Sequence, residues 1–335
     1  MGKVRRITIK EVAERAEVSK STVSQFLNKR YEYMATLTKK RIEEAIKDLG
    51  YQPNIVARSL KQKSTRTIGV IVANILHTFS TEVSRAIEDV CNQKDFHTII
   101  CNADDHPEKE KKYIEMLRAK QVDGLIIFPT GNNRTLYKQM QEENYPVVFI
   151  DREVSQIPIT SVLLENKKAA SIAVDHFIEK GHTKIAMITT SIIHNVTARV
   201  ERLEGYKQSL KRNGIPVRKE YIGSVRSAEI LETLEEMLNL DQPPKAVLAG
   251  NDLVLIEVLK YIKQHHLRIP EDLAVIGIDD VSFASFYTPS ITTVAQPTFQ
   301  MGQSAAEILF NKMESSTNKD ASIRFEPKLM VRNSG

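Results

Sequence analysis

No tryptophan occurs among the 335 residues of this chain, and cysteine occurs twice, at Cys91 and Cys101. The two thiols have no metal-ligand or redox spacing, so each is expected as a buried, reduced thiol of a cytoplasmic protein. No apolar run is long enough to span a bilayer, and no positively charged leader with a short apolar core opens the chain. Gly-x-x-Gly and phosphate-loop patterns are missing, as is a Ser/His/Asp nucleophile arrangement. His265-His266 ends a helical stretch with no third metal ligand in view. Asp279 and Asp280 are neighbours at a strand end, where successive side chains point to opposite sides, so they cannot share general acid–base work. An enzyme is therefore not expected, and neither a cofactor nor a metal is called for.

What the chain does have is unevenly placed charge. The formal net charge is +5, yet residues 1–66 hold 16 Lys/Arg against 7 Asp/Glu, whereas the other 269 residues hold 31 against 35. A basic head on a slightly acidic body is the footprint of a head that meets phosphate.

Within that head, ITIKEVAERAEVSKSTVSQFL (residues 7–27) reads as two short helices and a tight turn. Thr8 and Glu11 have capping-box spacing, Glu17-Val18 forms the turn, and Ser19 caps the second helix. There Val23, Phe26 and Leu27 share one face, while Lys20, Ser21, Ser24 and Gln25 share the other. A short polar face of this kind donates to and accepts from base edges in a major groove, which is a helix-turn-helix with its recognition helix second. A plain helical hairpin is the bland alternative. A third helix over 36–49 presents Ile42, Ala45, Ile46 and Leu49 to the first two.

Three segments, TIKEVAERAEVSKSTVSQFLN (8–28), YQPNIVARSLK (51–61) and TIGVIV (67–72), resemble in order and spacing the lac repressor/galactose repressor family of bacterial transcription regulators, and the resemblance runs to about Arg332. It implies base reading by Lys20, Ser21 and Gln25, with Ser19, Thr22, Ser24 and Asn28 placed on phosphates and caps; Thr8 and Tyr51 are further DNA-binding candidates, and Lys29 stands in a loop that either touches the DNA backbone or is plain surface. The family usually carries Arg at the position of Gln25. Gln favours adenine where Arg favours guanine, so a more A·T-rich letter is expected there. The resemblance also implies a hinge helix that folds only on DNA, bringing Asn54, Ala57, Arg58 and Leu60 to the minor groove, with Leu60 wedged between base steps. Isolated, so short a segment does not hold a helix in water. An ordinary linker is the alternative.

From Thr67 short apolar runs (68–72, 98–101, 124–128, 147–150, 184–188, 246–249 and 273–278) alternate with amphipathic stretches (107–120, 167–180, 198–213 and 252–266). That alternation predicts parallel sheets covered on both faces, in two doubly wound α/β lobes. The resemblance implies a periplasmic-binding-protein-like body, crossed between lobes near Glu165, Val294 and Ser322. The expected domains are a helix-turn-helix head (1–50), a hinge and linker (51–66), a first lobe (67–165 with 295–322) and a second lobe (166–294 with 323–335). A single last strand is expected over 323–331.

Ligands of such sheets bind at the carboxyl ends of the strands. Loops there carry His77, Phe79 and Ser80, then Asp151 and Arg152, then Thr197, Arg199 and Arg202, then Asn251 and Asp279, with Gln296 at the return crossing. Asp279, Asn251, Gln296 and Phe79 offer the donors, acceptors and aromatic face that a polyol needs, and Arg202 can clamp a carboxylate or a hydroxyl pair. Arg202, Asn251, Asp279 and Gln296 match the family's effector contacts. His77, Arg152, Arg199 and Arg202 would make the cleft cationic and suited to an anion. LNKRYEYM (27–34) and ILHTFS (75–80) look like the branch that answers to 2-keto-3-deoxygluconate, and the missing tryptophan, which some members stack on sugars, fits that. The implied protein is a repressor of a sugar or sugar-acid catabolic operon, released from a near-palindromic operator by an inducer. A homodimer is expected, through the helix after Phe79 with Glu82, Arg85 and Ala86, and without the leucine-heptad tail of the tetrameric branch. A corepressor-dependent regulator and a sugar-binding protein without regulation are the alternatives.

Overall fold

The computed structural model describes residues 7–52, 64–192, 196–314 and 322–335. They divide into two units that meet at Thr65 and Arg66.

The first unit is built of helices. α1 (Ile9–Arg15) begins where the Thr8 hydroxyl accepts the Glu11 N–H at 3.4 Å and the Glu11 carboxylate accepts the Thr8 N–H at 2.7 Å. This reciprocal pair satisfies two donors that a helix start otherwise leaves open. Glu17, at φ +52°, turns the chain, and Ser19 opens α2 (Lys20–Leu27) by accepting the Thr22 N–H at 3.1 Å. α3 (Thr36–Leu49) ends at Gly50, whose φ of +59° makes the left-handed cap that side chains disfavour. Val12, Ala13, Ala16, Val23, Ile42 and Ala45 close the core. Arg41 on α3 donates to the Ala16 and Glu17 carbonyls, each at 3.0 Å, and so ties the third helix to the turn.

The second unit is a pair of sheets. β1 (Thr67–Val72), β2 (His97–Asn102), β3 (Gly124–Ile127), β4 (Val147–Ile150), β5 (Ser161–Leu164) and β11 (Ile323–Phe325) lie in the order β11-β5-β4-β3-β1-β2. β6 (Ile185–Thr190), β7 (Ile222–Val225), β8 (Ala246–Ala249), β9 (Ala274–Ile278), β10 (Thr292–Ala295) and β12 (Lys328–Met330) lie in the order β12-β10-β9-β8-β6-β7. Position for position the two orders match, and every pairing is parallel except that of β12 with β10. The helices are α4 (Thr78–Gln93), α5 (Pro107–Ala119), α6 (Arg134–Glu142), α7 (Asn166–Glu179), α8 (Thr197–Arg212), α9 (Ile230–Leu238), α10 (Asp252–Gln264) and α11 (Thr298–Glu314). They cover both sheet faces, so β3, β4, β5, β6, β8 and β9 are buried along their whole length, as continuous apolar runs require.

The match extends to single residues. Asp151 follows β4 at φ +68° and Asp279 follows β9 at φ +85°. The Asp151 N–H reaches the Val162 carbonyl on β5 at 2.9 Å, and the Asp279 N–H reaches the Val294 carbonyl on β10 at 3.0 Å.

Three details depart from expectation. The stretch expected as one strand over 323–331 is two, β11 in the first sheet and β12 in the second. The last crossing therefore comes at Glu326-Pro327, where Pro cannot donate to a continuing ladder, and not at Ser322. β10 belongs to the second sheet through Ala295, so the first lobe does not resume at 295, and the return crossing comes at Gln296, the residue expected there. Ala86 cannot serve an intermolecular surface, because it is fully buried under α11, where a Cβ on Gly302 would lie 2.7 Å from it. Among the described residues no helix is long and apolar enough to cross a membrane.

Candidate nucleic-acid face and ligand cleft

α2 leaves Lys20, Ser21 and Gln25 exposed while Val23 is wholly buried. The helix thus presents a charged donor, a hydroxyl and a bifunctional amide on one side. Ser19 is more than a cap: its hydroxyl also lies 2.6 Å from that of Ser21 and 2.8 Å from that of Thr22. The Asn28 amide donates to the Ser24 carbonyl at 2.7 Å and finishes the helix. Lys29 is exposed at φ +57° and Tyr51 is half-buried against the small core. Asn54, Ala57, Arg58 and Leu60 lie outside the described residues.

In the second unit the loops at the carboxyl ends of both sheets meet around a cavity of about 40 Å³, lined by His77, Phe79, Ser80, Asp151, Arg152, Arg199, Arg202, Asn251, Asp279 and Gln296, together with Ala73, Phe128, Val196 and Ala198. The sequence reading anticipated ten of these. Thr197 stands aside, its hydroxyl taking the Glu153 N–H at 3.1 Å.

Most of the polar side chains there are held. Asn251 caps α10 by accepting the Val254 N–H at 2.9 Å, and its amide donates to Thr190 at 3.2 Å. Arg202 donates to Asn166 and to the Gly250 carbonyl, both at 2.8 Å. Gln296 donates to Asp279 at 2.5 Å, which leaves the Gln296 carbonyl oxygen buried without a partner. Burial is the largest influence on Asp279. It raises the carboxyl pKa, the Asp252 charge adds to that, and Arg202 and Gln296 only partly oppose it. Phe79 meets Phe128 edge-on at 6.1 Å and supplies an aromatic wall.

Several bonds run between the lobes. His77 Nδ1 lies 2.5 Å from one Asp252 oxygen, and the Thr78 N–H donates to the other at 2.7 Å. Burial pushes Asp252 up, but His77 and the backbone donors outweigh it and the carboxyl sits below its ordinary value. Asp105 takes Arg152 of the first lobe at 2.9 Å and Arg199 of the second at 3.2 Å. Burial alone would raise Asp105, but the two guanidinium charges hold it at about 2. Arg199, desolvated by burial and close to the Arg152 charge, is pushed down to about 10.

The expected cationic cleft is therefore not what forms. Arg152 and Arg199 are neutralised by Asp105, and Asp151 takes Arg152 Nε at 3.1 Å. Asp105, Asp252 and Asn166 were missed as site residues. Asp105 stands in ADDHPEK, where acids before a proline read as a helix start, and Asp252 and Asn166 likewise stand in the first turn of a helix. Nothing local distinguishes these roles from a link across a cleft. Asp279 and Asp280 do part: Asp280 takes Thr293 at 2.6 Å and Arg332 at 2.8 Å, away from Gln296. His265 stacks on Tyr261 with centroids 3.9 Å apart.

Comparison with known proteins gives these two sites a context. Residues 8–54 match the family described as bacterial regulatory proteins, lacI family, and residues 174–335 match the periplasmic binding protein-like domain. A protein of Paenibacillus polymyxa described as probable HTH-type transcriptional regulator EndR is 52% identical over 308 residues, which cover 92% of this chain and 91% of that protein. The chain belongs to the LacI family. HTH-type transcriptional regulator KdgR of Bacillus subtilis is 34% identical over 336 residues, covering 98% and 97% of the two chains. The crystal structure of the lac repressor dimer bound to operator and the anti-inducer ONPF superposes with a TM-score of 0.86 at 26% identity, covering 98% of this chain and 99% of that one. This LacI-family chain is thus a DNA-binding transcriptional regulator with a helix-turn-helix head and a two-lobed, periplasmic-binding-like body.

Proposed function

We propose that this regulator is a cytoplasmic repressor whose hold on a near-palindromic operator is released when a saccharide binds in the cleft. The observation that carries the reading is that polar groups of the two lobes are bonded directly to each other across the cleft. His77 meets Asp252, Asp105 meets Arg199, and the Glu153 N–H meets Thr197. A ligand rich in hydroxyls offers the same donors and acceptors, so its binding exchanges the uncharged contact of Thr197 and the His77–Asp252 contact for lobe–ligand bonds, while the Asp105 ion pairs stay closed, and changes how the lobes stand. The cavity of about 40 Å³ holds a few waters, so a sugar enters only as those bonds give way.

On the DNA side, Lys20, Ser21 and Gln25 read base edges. Ser19, Thr22, Ser24, Asn28, Lys29, Thr8 and Tyr51 fix α2 on the backbone, and Asn54, Ala57, Arg58 and Leu60 act in the minor groove. Two half-sites call for a homodimer, and the likeness to a lac repressor dimer on its operator supports this. Within the cleft, Asp279, Asn251, Gln296 and Arg202 bind hydroxyls against Phe79, with His77, Ser80, Asp151, Arg152 and Arg199 completing the site. No catalytic step, cofactor or metal belongs to this reading. The family branch first suggested, and the relative named KdgR, make 2-keto-3-deoxygluconate the first sugar acid to try.

The test is an anisotropy titration of a labelled near-palindromic duplex from upstream of the gene's own operon, at physiological salt, with and without added saccharide. Loss of affinity on adding a saccharide is the expected result. Affinity that rises with the saccharide would replace release by corepression, and affinity that ignores every saccharide tried would remove the cleft from the regulation.

A further inference from the structure

Arg152 and Arg199 come from opposite lobes, yet both guanidinium groups end at one carboxylate, that of Asp105. Two guanidinium groups so close are an anion trap: with nothing between them they would repel, and each would be stabilised by any carboxylate that slotted in. The chain supplies that carboxylate itself. The supply is firm. The loop carrying Asp105 is pinned by its own backbone, the Asp105 N–H donating to the Ala73 carbonyl at 2.6 Å and the His106 N–H to the Ala103 carbonyl at 2.9 Å. Asp105 sits at φ +56°, a conformation Asp tolerates better than most residues. Arg152 is only 5% exposed and is fixed a second time by Asp151. Arg199 is fixed a second time by the Ser191 carbonyl at 2.8 Å. Neither guanidinium is free to turn toward a ligand without breaking such a bond.

We propose that Asp105 sets the charge class of the effector: by occupying the Arg152–Arg199 pair it excludes acidic sugars and leaves a cleft for neutral saccharides. This rests on the saccharide reading of the same cleft. The remaining lining agrees with it. Arg202 is already engaged by Asn166 and Gly250, and Asp151 and Asp279 line the cleft with carboxylates. Acceptors suit sugar hydroxyls, which donate. A ligand carboxylate donates nothing and would face these acceptors as well as compete with Asp105 for its arginines. Replacing Asp105 by an uncharged residue frees the pair for the ligand's carboxylate.

The experiment is calorimetric titration of the full-length protein with matched neutral and acidic sugars: glucose and glucuronate, galactose and galacturonate, cellobiose and cellobionate, with 2-keto-3-deoxygluconate as a further acid. The wild-type protein is expected to bind the neutral member of at least one pair and to bind no acid as well. In Asp105→Asn the ratio of acid to neutral affinity should rise by about tenfold or more, the size of one pKa unit of differential charge stabilisation. Asp105→Ser should do the same, and circular dichroism melting of both variants establishes that the lobes are folded. Wild-type protein that binds an acid at least as well as its neutral partner would overturn the proposal while leaving the saccharide reading in place. So would an unchanged ratio in both folded variants. Binding of no sugar of either charge would overturn the saccharide reading, and the proposal with it.

Discussion

Gln25 is one exposed side chain on α2, and its amide pairs a donor with an acceptor in the geometry that adenine N6 and N7 present in a major groove. Gln25→Arg should shift the preferred letter at that operator position from adenine to guanine, with discrimination of about 1–3 kcal/mol, readable by selection from a randomised half-site; an unchanged letter would mean that Gln25 does not read a base. Glu110 makes a different kind of prediction. It is fully buried and accepts from the Thr130 N–H at 2.7 Å, from Asn133 at 3.2 Å and from the Tyr137 hydroxyl. Glu110→Ala strips those buried donors of their partner at about 1–3 kcal/mol for each one left unpaired. It should lower Tm by several degrees and loosen the loop that carries Phe128. Asp105 adds a pH dependence. Its carboxyl, ordinarily near 3.8, is lowered to about 2 in the fold. The stabilisation it gives is therefore complete above about pH 4 and is lost as pH falls toward 2. The Tm gap between wild-type protein and Asp105→Asn should be constant near neutrality and shrink below pH 4. A gap that persists at pH 2–3 would mean that Asp105 contributes by shape and not by charge. Gln25 was legible because helical spacing alone puts it on the outer face of α2. Asp105 was not, because its two partners lie 47 and 94 residues away and no local pattern encodes them.

At the scale of elements, α2 depends on the residue that caps it. The Ser19 hydroxyl accepts one open N–H of the helix and touches both neighbouring hydroxyls. Ser19→Ala should cost about 1 kcal/mol in the melting of the head, and operator affinity should fall along with it. Affinity lost without any change in melting would reveal a direct phosphate contact instead. Gly205 on α8 faces the Lys167 backbone carbonyl on α7 so closely that a Cβ would overlap it. Gly205→Ala should force the two helices apart at about 1–3 kcal/mol. Helices were readable from the sequence because caps and 3.6-residue periodicity reinforce each other. Seven strands were readable as apolar runs. β5 (SVLL), β7 (IGSV) and β10 (TTVA) went unread because Ser, Thr and Gly cut their apolar runs short. The division of 323–331 went unread because lobe membership is a tertiary fact that β11 and β12 acquire only on pairing with β5 and β10.

For the whole molecule, the concentration of basic residues in 1–66 predicts operator affinity that falls steeply and linearly on a log–log plot against salt. Ligand affinity, set in the largely neutralised cleft, should barely respond to salt, and equal slopes for the two would contradict that separation of charge. The domain plan could be read in advance because alternating apolar runs and amphipathic helices admit few other architectures. The electrostatics of the cleft could not, because positive residues are visible in a sequence and their pairing is not. The matched strand order has a consequence of its own. Asp151 and Asp279 close equivalent strands, share the same left-handed turn and make the same backbone bond to the neighbouring strand. The cleft is thus a vice whose jaws are two castings of one mould: main-chain geometry sets where each aspartate stands, and Arg152 and Gln296 hold the two carboxylates. A guest gripped in this way has to offer hydroxyls toward both jaws at once, so a sugar deoxygenated at either end should lose about as much affinity as one deoxygenated at the other.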